Sequence, residues 1–169
     1  MRKGLVYSLV LYLSCTSGLL RQTFQNLDFE DADLAPVQYG GFVPITDAIP
    51  HWTGYLGTNQ VTQVLQNNST LGDASIDIFG PDWPYGGIIQ GQYTALLQCG
   101  GNPFTRDSSD LLDASLAQVG LVPVSAKSIQ LEVFPWLGAS FAVSFDGQAI
   151  PLSPVGSGPS YTLYGQTGV

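Results

Sequence analysis

Past residue 21 the chain repeatedly alternates apolar and polar positions with a period of two, and the alternation breaks at clusters of Gly, Pro, Asn and Asp. That is the pattern of strands joined by turns. In ASIDIFG the residues Ala74, Ile76 and Ile78 share one face, with Ser75 and Asp77 on the other. SIQLEVF sets Ile129, Leu131 and Val133 inward against Ser128, Gln130 and Glu132. FAVSF repeats the device with Phe141, Val143 and Phe145, and the Asp146-Gly147 that follows offers the positive-φ pair of a tight type I′ hairpin, so Gln148 to Leu152 should return antiparallel. TFQNLDFE, HWTGYLG, QVTQVLQ and GQYTALLQ read as further, weaker strands. Seven or eight strands so spaced predict an all-β fold, an antiparallel β-sandwich such as a jelly roll.

SSDLLDASLAQVG is double-valued. Leu112, Leu116 and Val119 fall at the spacing of a short helix behind a Ser108 or Ser109 cap, but we read the stretch as a loop entering a strand over Ala114 to Leu121. The closing SYTLYGQTGV reads as a strand just finishing, so the sandwich is expected to lack its last strands, through truncation at the C-terminus or because a partner strand completes it.

Composition narrows the setting. With 44% hydrophobic residues in 169, the chain can bury a core as one domain. Thirteen acids oppose five bases, so neither nucleic acid nor an anionic membrane is an expected partner. Arg2, Lys3 and Arg21 flank LVYSLVLYLSCTSGLL, which has the charged and apolar regions of a secretory signal and, at sixteen residues, is short for a membrane-spanning helix. We therefore divide the chain into a signal peptide over 1–21 and one domain over 22–169, with an uncleaved anchor or a lipidated Cys15 as alternatives. The remaining domain has Arg106 and Lys127 against 13 acids, a net charge of −11, and a single cysteine, Cys99, so no internal disulfide supports it. Overlapping sequons at Asn67 and Asn68 would be glycosylated only in a eukaryote; elsewhere they read as an exposed polar turn.

The candidate chemistry is sparse. In NLDFEDADL alternation would set Leu27 and Phe29 on one face and Asn26, Asp28 and Glu30 on the other, projecting carboxylates that either form a solvated edge or serve as oxygen ligands of the kind Ca²⁺ prefers. Trp52, Trp83, Tyr85 and Trp136 lie near Pro, Gly or Asp, at expected loop ends, where a ring can stack on the C–H face of a sugar. GPDWPYGG is the best such segment, because its prolines and glycines stiffen a loop bearing Trp83 and Tyr85; the competing reading is that the rings close the end of the sandwich over the core. His51 is the sole histidine, and no G-x-S-x-G elbow, Cys-His pair or H-x-x-x-H pair occurs, so nucleophilic hydrolysis and zinc chemistry lack their parts. A glycosidase needs only two carboxylates, and Asp107, Asp110 and Asp113, or Glu132 with Asp146, would be the candidates. Cys99 reads as a buried structural thiol.

The succession NLDFEDADL, IPHWTGYLG, VLQNNSTLGDASIDIFGP, GQYTALLQ, ASLAQVGLVPVSAKSIQLEV and VSFDGQAIPL resembles the exported bacterial galactose-binding-like domains of the PEP-CTERM, exosortase-sorted type, over about residues 24 to 165. The resemblance implies a noncatalytic jelly roll whose final strands follow a Tyr-Gly like Tyr164-Gly165; the family's Pro-Glu-Pro tail is not in this sequence. It also implies a structural calcium, since carbohydrate-binding jelly rolls often begin with an Asn-x-x-Phe-Glu run like Asn26 to Glu30. Glu30 would be the ligand, with Asp31 and Asp33 as helpers. The expected function is a secreted or cell-surface module that binds extracellular glycan. The alternatives are a surface or matrix building block that binds other surface proteins without a sugar site and, last, a glycan-active enzyme.

Overall fold

The computed structural model describes residues 10–14, 23–34, 40–134 and 139–167. The described part is almost entirely β, its one helix being the single turn α1 (Ile45–Ala48). A six-stranded sheet runs in the order β13 (Gln148–Ile150), β12 (Ala142–Phe145), β1 (Val10–Ser14), β10 (Ala114–Val119), β3 (Thr53–Leu56) and β4 (Asn59–Val61). A four-stranded sheet follows the order β2 (Phe42–Pro44), β5 (Gln63–Gln66), β6 (Ser75–Phe79) and β7 (Thr94–Gln98). Strands β11 (Ser128–Val133), β15 (Thr162–Thr167) and β14 (Ser153–Ser157) form a third sheet, and β8 (Gly100–Asn102) pairs with β9 (Asp107–Leu112). Pairing is antiparallel except where β1 runs parallel to both β10 and β12, and β5 to β6.

The two larger sheets face each other, with β10 over β6 and β7 and β3 over β6, as in a β-sandwich. Their facing sides supply the core: Val43, Val64, Ile76 and Ile78 from one, Leu56, Ala114, Leu116 and Val143 from the other. Ile129, Leu131, Phe141 and Phe145 pack against this cluster, as their alternation predicts. Gly54 on β3 sits under Ile45 and Ile76, and an added Cβ would stand 2.8 Å from the tips of both. The Asp146-Gly147 hairpin also forms as read, with φ of 50° and 76°, and β13 returns antiparallel to β12.

Four expectations are corrected. TFQNLDFE is no strand: Thr23 makes one isolated bridge to Leu121, and the chain then coils around Asn26. The Asn26 side chain accepts from the Asp31 amide at 3.0 Å and donates to the Pro50 carbonyl at 3.1 Å, holding Asn26 and Phe29 at positive φ. A local side-chain turn thus outcompetes a ladder. QVTQVLQ is cut into β4 and β5 at Thr62, whose carbonyl accepts from Ile45. The Asp107 to Leu112 stretch, read as loop, is β9, because its backbone pairs with Gly100 to Asn102. Finally, fifteen strands are described where seven or eight were counted, since short strands of three residues leave too brief an alternation to read. Val10–Ser14, within the segment assigned to the leader, is placed as strand β1.

Candidate functional site

The loop from Gly80 to Tyr93 joins β6 to β7 and carries both Trp83 and Tyr85. Phe79, at the end of β6, stacks on Trp83 with ring centres 4.6 Å apart and planes 8° from parallel. Tyr85 meets the Trp83 edge at 5.1 Å and 72°. One Trp83 face is therefore spent on Phe79, and Tyr85, 80% exposed, presents its ring to solvent.

The loop is held along its length. Buried Asn67, at φ 48°, accepts the Gly80 amide on its side-chain oxygen at 2.8 Å, and the Trp83 amide closes a turn onto the Gly80 carbonyl at 3.0 Å. Further along, the Ile89 amide donates to Thr94 Oγ1 at 2.9 Å. Glu30, from the turn around Asn26, accepts the Gln92 amide on both carboxylate oxygens at 2.9 and 3.0 Å and the Tyr93 amide at 3.0 Å. Gly91 permits this approach: an added Cβ would lie 2.2 Å from Glu30 Oε1. With its amide nitrogen turned toward β11, Gln90 donates to Glu132 at 3.0 and 3.3 Å, and Glu132 also holds the Tyr161 hydroxyl, whose pKa it raises. Sequence reading missed Phe79, Asn67, Gln90 and Glu132 as supports of this loop. Only the apolar end of SIDIF next to GPDW hinted at the first, because the other contacts join elements distant along the chain.

The remaining candidates fall elsewhere. Trp52 is buried, tilted against Phe29 at 5.6 Å, and its indole N–H donates to the Asn26 carbonyl at 2.8 Å, so no face is open to a sugar. Trp136 lies outside the described residues. Asn67 is buried and committed to Gly80, which corrects its reading as part of an exposed turn. His51 is exposed at φ 72°. Cys99 is buried and free, as expected, with burial and neighbouring Asp113 pushing its thiol up to about 11.

Calcium needs six to eight oxygens around one point. Glu30 engages its carboxylate in three contacts with the Gln92 and Tyr93 amides, and among the described residues no group of three or more His, Cys, Asp or Glu side chains is placed to hold a metal ion, Glu30, Asp31 and Asp33 included. We expect Glu30→Ala to lower stability by about 1–3 kcal/mol through loss of charge-assisted hydrogen bonds, read as a lower melting midpoint that is the same with calcium or with chelator. A calcium-dependent midpoint in the native chain would instead support Glu30 as a calcium ligand.

Two of the carboxylates weighed for a glycosidase, Asp107 and Asp110, are engaged separately. Asp107 accepts the Ser109 amide and hydroxyl at 2.8 and 2.7 Å, which lowers its pKa, and Asp110 accepts from Asn102 Nδ2 at 2.7 Å. Asp77 is instead pushed up to about 7, by burial, on the second face of β6. The fold and this loop define a β-sandwich with an anchored aromatic loop. No protein-family model, curated protein or solved structure matches the chain.

Proposed function

We propose that this chain is an exported, noncatalytic sandwich of jelly-roll type that binds carbohydrate outside the cell, with Tyr85 as its platform and Trp83 behind it. The observation that carries the reading is the Tyr85 ring, 80% exposed on a loop fixed by Asn67, Glu30, Glu132 and the Phe79–Trp83 stack. A large ring left in water on a rigid support is already ordered, so stacking on a sugar costs little further conformational entropy. Export is read from the leader-like N-terminus and the net charge of −11 that remains without it. Among the described residues no helix is long and apolar enough to cross a membrane.

Tyr85→Ala tests the platform cleanly, because Tyr85 is exposed while Trp83 also supports Phe79. Retention on a glycan array should fall about tenfold, the worth of one ring contact of about 1–1.5 kcal/mol, with the melting midpoint unmoved. Unchanged retention, or no retention of the native chain on any glycan, overturns the reading. Trp83→Ala should lose both retention and stability.

A further inference from the structure

Strand β12 is hydrogen-bonded to β13 on one side and to β1 on the other, so β1 alone ties the β12–β13 hairpin into the six-stranded sheet. The registers are continuous on both flanks: Leu11 to Ser14 pair with Leu116 to Val119, and Val10 to Leu13 with Ala142 to Phe145. Without β1, two ladders open at once. Strands β10 and β12 would stand about 10 Å apart, two inter-strand spacings, too far to pair with each other. Leu116 and Val143, 1% and 2% exposed, lie on the strands beside the gap. Next to β12 a cleft of about 260 Å³ is lined by Ser140, Phe141, Val143, Ile150, Leu152 and Tyr164.

The strand that fills this gap has the sequence VLYLS, inside the segment read as a signal peptide. Export would therefore remove the occupant of a central position in the sheet. Open ladders beside core side chains are the structural form of strand-acceptor grooves, in which main-chain hydrogen bonds supply affinity and inward pockets supply specificity.

We propose that the seam between β10 and β12 is a strand-acceptor site that, once residues 10–14 have been removed, takes an extended apolar segment from a partner chain, running parallel to both neighbours. The occupant must offer amides and carbonyls on both edges for four residues or more, and apolar side chains toward Leu116 and Val143. A charged or proline-containing segment fails on one count or the other. The inference rests on the export reading, and the test separates the two.

The exported protein is collected, its N-terminus is read by mass spectrometry, and it is unfolded in guanidinium and refolded so that no earlier occupant survives. The probe is a synthetic peptide carrying VLYLS between lysines; the control is the same peptide with N-methylated amides at Leu11 and Leu13. The expected result is one peptide bound per chain, a melting midpoint higher by about 5 °C or more, and slowed amide exchange confined to Leu116–Val119 and Ala142–Phe145, none of it with the control. A protein whose N-terminus lies beyond Ser14 and whose refolding yield, melting and exchange ignore the peptide overturns the proposal. An N-terminus at Met1 overturns the export reading instead, and the seam is then probed in the full chain as Tyr12→Pro. Rescue of that variant by the peptide supports the acceptor site, and absence of rescue sinks it.

Discussion

Asp77→Asn raises the melting midpoint of this protein by about 10 °C at pH 8 and leaves it nearly unchanged at pH 4. Asp77 sits in the middle of β6 at 0% exposure; one carboxylate oxygen accepts from Ser75 Oγ at 2.7 Å, and the other, Oδ1, has no hydrogen-bond partner. Desolvation, only partly offset by the Ser75 hydrogen bond, raises its pKa from 3.8 to about 7. The sign follows from linkage. Below about pH 4 the carboxyl is protonated in both folded and unfolded chains and costs nothing. Between about pH 4 and pH 7 the unfolded chain releases the proton while the folded chain keeps it, so folding loses stability as pH rises. Above about pH 7 the loss is complete, on the order of 4 kcal/mol for a gap of about three pH units, or about 10 °C in a domain of this size. Asparagine is close in shape and can still accept from Ser75, but it has no proton to lose. Melting curves of the two proteins from pH 4 to pH 8 test this: their difference should grow through the acid range and level off near neutrality. A difference flat in pH, or an asparagine variant that melts lower at pH 8, contradicts it.

Gly100→Ala should unfold the region joining β6, β7 and β8, at a cost above about 3 kcal/mol. A Cβ on Gly100 would stand 2.3 Å from the Gly72 carbonyl oxygen, 2.5 Å from the Asp73 carbonyl carbon and 2.7 Å from the Ala74 nitrogen. All three are backbone atoms, so no rotamer relieves the overlap. The same crossing carries the Gly101 amide to the Gly72 carbonyl at 2.7 Å and the Ala74 amide to the Gly101 carbonyl at 2.9 Å. Gln98 secures the loop before it, donating to the Thr70 and Asp73 carbonyls at 3.0 and 2.9 Å. Gly54→Ala is the control. Its Cβ would also meet atoms at 2.8 Å, but they are the methyl ends of Ile45 and Ile76, which can rotate, so its cost should be clearly smaller. Chemical denaturation of both variants decides the point; equal losses would mean that the backbone at Gly72 to Ala74 yields as readily as a side chain.

Much of the strand pattern was legible because burial on one face leaves a period of two in the sequence. Ile76 and Ile78, Ile129 and Leu131, and Phe141, Val143 and Phe145 all point where the alternation sends them, and Asp146-Gly147 turns where a positive-φ pair must. Asp77 shows the limit of that logic. Its alternation with Ile76 and Ile78 reads as polar-out, yet β6 lies between β5 and β7 and both of its faces are covered, so all five of its residues are buried. Whether a strand is central or at an edge is not written in the strand.

The candidate site divides in the same way. GPDWPYGG marked Trp83 and Tyr85 as rings on a stiff loop, from local chemistry alone. That Phe79 takes one face of Trp83, that Trp52 turns inward, and that Glu30 serves as an anchor for amides sixty-two and sixty-three residues away could come only from the fold. Sequence by itself determined the β class, the inward-facing sides of the strands, the acidity and the aromatic loop, because each depends on residues close together in the chain. Tertiary structure decided which strands became neighbours, and hence which acid was buried, which glycine had no room and which ring stayed in water, because those outcomes depend on groups that meet only after the sheets have closed.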